Sequence, residues 1–323
     1  MDIHQARAAL SVIPSDDREL WVRMAIAMRS EFGDDGFSAW EDWSQTAPNY
    51  NPRAARDVWK SAKPGGRITI GTLIHYARQY GWKSSEPLTR PDPAAIARRN
   101  AEFERLREHE YAEAAIAACN LWLSAVPALS HPYTDRKGIK PIGARVTQCW
   151  PGRSGDLALI LRVMDGPHHL SSLQAIFADG SRRFYPGARA QGCYLPVRSG
   201  QPPESPVVIC EGYATAVSIH ECTGLITVAA FSAGNLYPVA QKILRLHPSV
   251  NLIIAADDDR WTNGNTGMTA ATQTAEATKS RLVVPPPMED GMTDFNDLHQ
   301  SVGADAVRAC FDVPRITKPS NDH

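Results

Sequence analysis

The sequence predicts a mostly parallel α/β sheet in its C-terminal third, preceded by an α+β segment and, at the N-terminus, an all-α module. Three observations carry this reading. Residues 1–82 repeat apolar positions at helical spacing. From Asp156 the apolar runs become short and are separated by "DGPH" and "ADGS" turns. From Pro206 onward, strand-like runs alternate with helical ones, which is the pattern of a parallel sheet covered on both faces.

The helical module comes first. "DDRELWVRMAIAMRSEF" sets Leu20, Met24, Ala27 and Met28 on one face behind a cap at Ser15 or Asp16. "NPRAARDVWKSA" and "TIGTLIHYARQYGW" give two further helices. Trp21, Trp40, Trp43, Trp59 and Trp82 fall here, five of the chain's eight tryptophans. Rings this large are expected to form a small-domain core, with a stacking platform for bases as the lesser reading. Residues 83–130 read as a polar, proline-bearing linker, "KSSEPLTRPDPAA", followed by one long helix ending before Pro127.

Residues 131–204 form the β-rich segment. "DLALILRVM", "HLSSLQAIF" and "RRFYPG" suit an antiparallel meander. Residues 131–200 hold ten Lys and Arg against four Asp and Glu, whereas 201–323 hold eight against fourteen. The overall net charge of −1 thus hides a basic segment followed by an acidic one.

In residues 205–312, "VVICE", "LITVAAF", "NLIIAADDD" and "RLVV" read as strands joined by helices, with a tail over 313–323. Two acidic groups fall at strand ends. Glu211 closes the first strand, and Asp257, Asp258 and Asp259 close the third. Ligands of open parallel sheets bind beyond these carboxyl ends. In extended chain Asp257 and Asp259 point one way and Asp258 the other. Like charges so close repel unless a cation neutralises them or one takes a proton. Hard oxygen ligands suit one or two Mg²⁺ or Mn²⁺ ions rather than zinc. Asp at a strand end also suits a turn or the cap of the next helix.

"VVICEGYATAVS" followed by "NLIIAADDD" resembles the toprim domain of topoisomerases and bacterial-type primases, over about residues 205–312. The resemblance implies a Rossmann-like core in which Glu211, Asp257 and Asp259 are metal ligands and catalytic groups. "DGMTDFNDLHQ" is similar to the closing segment of the primase branch, making Asp294 and Asp297 secondary candidates. "HPYTDRKGI" and "SLQAIFADGSRRFYPG" resemble the segment ahead of the core in primases of plasmids, phages and other mobile elements. They nominate Lys137, Arg182 and Arg183 for nucleotide and DNA phosphates. Residues 1–82 resemble the helical module named for its place after primase cores, although here it precedes the core.

The resemblance implies a DNA primase, a DNA-directed nucleotidyltransferase making short RNA on single-stranded DNA from ribonucleoside triphosphates. A toprim nuclease and a non-catalytic DNA-binding replication factor are the alternatives. The six cysteines include no C-x-x-C pair, so neither a zinc ribbon nor a disulfide framework is expected. No Walker A motif occurs, so a separate helicase is the expected partner. No apolar run reaches membrane-spanning length and the first residues lack a signal peptide's pattern, which together suggest a cytoplasmic protein.

Overall fold

The computed structural model describes residues 1–63, 68–84, 93–197, 206–260, 265–289 and 291–312. Residues 85–92 of the expected linker and the expected tail, 313–323, lie outside them. The chain divides into two compact units, 1–109 and 110–323. None of the helices in the described residues is long and apolar enough to cross a membrane.

Helices α1 (Ile3–Leu10), α2 (Arg18–Phe32), α3 (Phe37–Ser44), α4 (Pro52–Ser61) and α5 (Ile70–Gln79) build the first unit. Of the adjacent candidates for the α2 cap, the chain uses neither Ser15 nor Asp16. Asp17 takes the position, its carboxylate accepting from the N–H groups of Glu19 and Leu20. Asn51 caps α4 in the same way, with Pro52 at the first helical position. Trp21, Trp40, Trp43 and Trp59 are buried. Trp40 stacks at a tilt on Trp21 and Trp59, 5.0 and 5.5 Å between ring centroids. Each of the four indole N–H groups finds an acceptor: Ser44 Oγ, the Trp21 carbonyl, the Ile13 carbonyl and Asp34 Oδ1. These rings are therefore core, not a platform.

Helix α6 spans Pro93–Ser124, as the long apolar pattern predicts. Strands β1 (Val126–Pro127), β2 (Ala144–Thr147), β3 (Ala158–Met164), β4 (Leu170–Phe177) and β5 (Arg182–Phe184) form one antiparallel sheet in chain order, and α7 (Pro132–Arg136) links β1 to β2. Then come β6 (Leu195–Val197), β7 (Val207–Cys210), α8 (Tyr213–Thr223), β8 (Ile226–Ala229), α9 (Leu236–Leu246), β9 (Leu252–Ala255), α10 (Thr266–Thr278), β10 (Arg281–Val283), α11 (Phe295–Ser301) and α12 (Ala304–Cys310). The second sheet runs β10-β9-β7-β8-β6. Its pairings are parallel except β6 with β8, so a short antiparallel strand closes one edge.

Period-two alternation divides the cores. On β3, Ala158 and Ile160 pack with Trp150, Phe177 and Trp122 of α6, whereas Leu159, Leu161 and Val163 face the opposite way. That second face shares one core with α8, α11 and the Val208, Cys210, Ile253 and Ala255 side of the parallel sheet. The sheet's other side, with Ile209, Val228 and Ile254, is covered by α9 and α10. The meander and the α/β half are thereby fixed to each other through a common apolar interior.

Candidate active site

Strand β7 pairs directly with β9, Ile209 opposite Ile254. Both end at the same edge, so Glu211 and the aspartates after β9 leave the sheet side by side. Glu211, Asp257 and Asp259 are all half-buried. Burial holds the Glu211 carboxyl above its ordinary range and the Asp259 charge pushes it further, while Arg182 and the Ala233 N–H favour the ionised form. Burial likewise raises Asp257 far above the carboxylate range, and the charges of Asp294, Glu211, Asp259 and Asp297 add to it. Asp294, raised mainly by its own burial, caps α11. It also receives a hydrogen bond from Thr215 Oγ1 in the first turn of α8, 3.3 Å away.

The three aspartates separate as their alternation predicts. Asp257 and Asp259 both lie against Gly267 on α10. A Cβ built on Gly267 would stand 3.0 Å from the Asp257 carbonyl oxygen and 3.1 Å from Asp259 Oδ2. Asp258 turns away and is buried. Arg260 Nε donates to its Oδ2 at 2.9 Å and Asn265 Nδ2 to its Oδ1 at 3.1 Å. The Arg260 hydrogen bond holds the Asp258 carboxyl below its usual range.

This chemistry fits a hard divalent cation. Four carboxylates crowd one edge, and Asp257 Oδ1 is buried without a hydrogen-bond partner. Among the described residues no three His, Cys, Asp or Glu side chains close into a ligand cage. The carboxylates thus form an open acidic edge. Mg²⁺, which takes one or two carboxylates and keeps its waters, suits such an edge.

Residues 206–305 match the toprim family model. The C-terminal α/β half is a toprim domain. Residues 6–77 match the family model described as primase C terminal 2. A DNA primase TraC of Escherichia coli is 35% identical over 160 residues, which is 48% of this chain and 11% of that protein. Another DNA primase TraC of the same organism is 38% identical over 120 residues, 35% of this chain and again 11% of the relative. The matched stretch is thus about a tenth of each relative's length. Among solved structures, the DnaG primase catalytic domain bound to single-stranded DNA is 14% identical with a TM-score of 0.44, covering 64% of this chain and 80% of that one. The primase fragment of the bacteriophage T7 primase-helicase is also 14% identical, with a TM-score of 0.41 over 58% and 72%.

The structure treats the three basic candidates differently. Arg182 projects from β5, and its charge acts on Glu211 of the toprim domain and on Tyr133 of α7. Two residues on, Phe184 packs edge-on against Phe231, 5.7 Å between ring centroids. Arg183 lies between them in a strand, so its side chain leaves by the other face, and Arg182, Arg183 and Phe184 all line an open hollow with Trp150, Arg153 and Pro186. Lys137 reaches the toprim domain but is engaged there, its Nζ 3.3 Å from Asp297 Oδ1. Asp297 also accepts from the Thr293 N–H at 2.9 Å, so it braces the α11 turn.

Sequence reasoning missed three residues that shape the site. Gly267 was legible as a glycine in the first turn of a helix, a costly place for one. Phe231 adopts φ 70°, rare for an aromatic residue, while its N–H donates to the Glu211 carbonyl at 2.8 Å. Nothing in its identity announces that strain. Asn235 is buried, accepting from the Gly192 N–H and donating to the Cys193 and Ala230 carbonyls. Its partners across the fold lie more than forty residues away in sequence.

Proposed function

We propose that the chain is a DNA primase of the mobile-element kind, making short RNA primers on single-stranded DNA. The observation that carries this reading is the acidic edge of Glu211, Asp257 and Asp259 with Arg182 facing it from the basic meander. One or two Mg²⁺ or Mn²⁺ ions held by these three carboxylates would neutralise the charge that develops on the reacting phosphate. Arg182 holds the triphosphate of the incoming ribonucleotide. The 3′-hydroxyl of the preceding nucleotide attacks its α-phosphate, Glu211 accepts the hydroxyl proton, and pyrophosphate leaves. Arg183 and Lys137 serve the template backbone, Lys137 after exchanging its contact with Asp297 for a phosphate. Asp294, at the α11 cap, adds its charge to the edge beside Asp257. Unwinding is left to a separate helicase.

Support comes from the toprim match, the helical primase-module match and the identity to the TraC primases over part of their length. The decisive experiment supplies single-stranded DNA, labelled ribonucleotides and Mg²⁺ or Mn²⁺. Short RNA products that disappear in Asp257→Ala are expected. Cleaved template without RNA would replace this reading by a nuclease, and neither product would leave a binding factor.

A further inference from the structure

Helix α4 carries an exposed cationic stripe. Arg53, Arg56 and Lys60, spaced i, i+3 and i+7, lie on one face, opposite the buried Ala55 and Trp59. They extend over about 10 Å of the helix axis. None of the three forms an ion pair among the described residues, and Asp57 is the one acid beside them on the helix. At the start of α4 the stripe meets a hollow lined by Asp16, Arg18, Trp21, Asn49, Tyr50 and Asn51. Tyr50 is half-buried, its hydroxyl donating to Glu41 Oε1 at 2.9 Å, and Arg56 is close enough to act on that hydroxyl. Arg18 adds a fourth exposed cation.

We infer that this surface of the helical unit is a binding site for single-stranded nucleic acid, separate from the acidic edge. The stripe contacts successive phosphates, whose neutralisation releases counterions. The hollow takes one unpaired base, stacked on Tyr50 with the Asn49 and Asn51 amides at its edge. A duplex presents no free base to such a hollow, and an acidic protein segment would not use the stacking surface. The unit thereby gains a role of its own: holding the strand independently of the reaction.

The test is fluorescence anisotropy of the full chain with labelled oligo-dT over a range of salt. Alanine at exposed helix positions preserves α4, so the triple variant Arg53→Ala/Arg56→Ala/Lys60→Ala keeps its fold. It is expected to bind at least about tenfold more weakly at low salt, with the slope of log K against log salt shallower by about two. Tyr50→Ala should weaken binding with the slope unchanged, and Tyr50→Phe should restore it. Unchanged affinity and slope in the triple variant, or equal loss in Tyr50→Phe and Tyr50→Ala, would overturn the proposal. A wild-type chain that binds oligo-dT through this stripe yet makes no RNA would end the primase reading and leave this one standing.

Discussion

Asp257 holds a buried oxygen with no partner, among four other carboxylates. Without a cation, its ionisation opposes folding. The sign follows from the raised folded-state pKa. An unfolded aspartate loses its proton near pH 4, whereas the folded one holds it to higher pH. The group's contribution is therefore most favourable below about pH 4 and drains as pH rises toward the folded value. Asp257→Asn removes the drain. In metal-free buffer at pH 7 the variant should be more stable by about 1–3 kcal/mol, and the gap should close near pH 4. Mg²⁺ should raise the melting temperature of the wild type and not of the variant. A variant that melts lower at pH 7, followed by scanning fluorimetry, would show that burial is not what perturbs this carboxyl. At this scale the acidic pair was legible, because alternation alone separates Asp258 from its neighbours. The orientation of Arg183 was equally available from alternation once β5 is placed, but the backbone strain at Phe231 was not, since residue type does not encode it.

Helix α10 explains why the acidic pair stays in position. Its first turn carries Gly267 against both aspartates, and Asn265, in left-handed backbone at φ 37°, caps the helix while donating to Asp258. An alanine at 267 gains helix propensity of about 1 kcal/mol. Its Cβ, however, would meet the Asp257 carbonyl oxygen at 3.0 Å, so backbone must shift. Gly267→Ala is expected to change stability little and to weaken Mn²⁺ binding about tenfold or more by calorimetric titration. Unaltered affinity would mean the pair is set by β9 alone. The same method separates the neighbours on the loop. Asp259→Ala should weaken binding more than Asp258→Ala. The latter should instead lose about 1–3 kcal/mol of stability, because Arg260 and Asn265 lose their acceptor; equal effects on Mn²⁺ would refute the assignment of Asp258 to the loop. Element order in this half was readable from the β–α alternation, whose apolar periods are long enough to be distinct. Strand β6 was not readable as a member of this sheet. Three residues carry little periodicity, and their antiparallel pairing with β8 depends on a partner some thirty residues away.

On the scale of the second unit, the proposed reaction requires the basic meander to be held across from the acidic edge. The shared apolar core does part of this, and polar ties such as Lys137 to Asp297 add to it. Lys242 of α9 hydrogen-bonds Asp165, which follows β3, and Asn235 joins the 190–193 loop to the end of β8. The Asn235 amide is matched to its surroundings atom by atom: its oxygen takes the Gly192 N–H at 2.7 Å and its nitrogen faces carbonyls at 2.8 and 2.9 Å. Asn235→Ala leaves those groups unpaired and should lower stability by about 2–4 kcal/mol. Asn235→Asp keeps the shape but sets an anion against two carbonyl oxygens in a buried site. It should be worse than alanine at pH 8 and recover toward it on acidification, as protonation restores one donor. In both variants the meander loosens from the toprim domain, so Arg182 loses its place opposite Glu211. On the proposed primase reading, the chemical signature is then a higher KM for ribonucleotide with metal affinity retained. Unfolding curves at two pH values together with nucleotide titrations decide it. If aspartate matches asparagine at pH 8, the amide nitrogen is not what fastens the two sheets, and the apolar core with the other polar ties holds the basic face over the carboxylates.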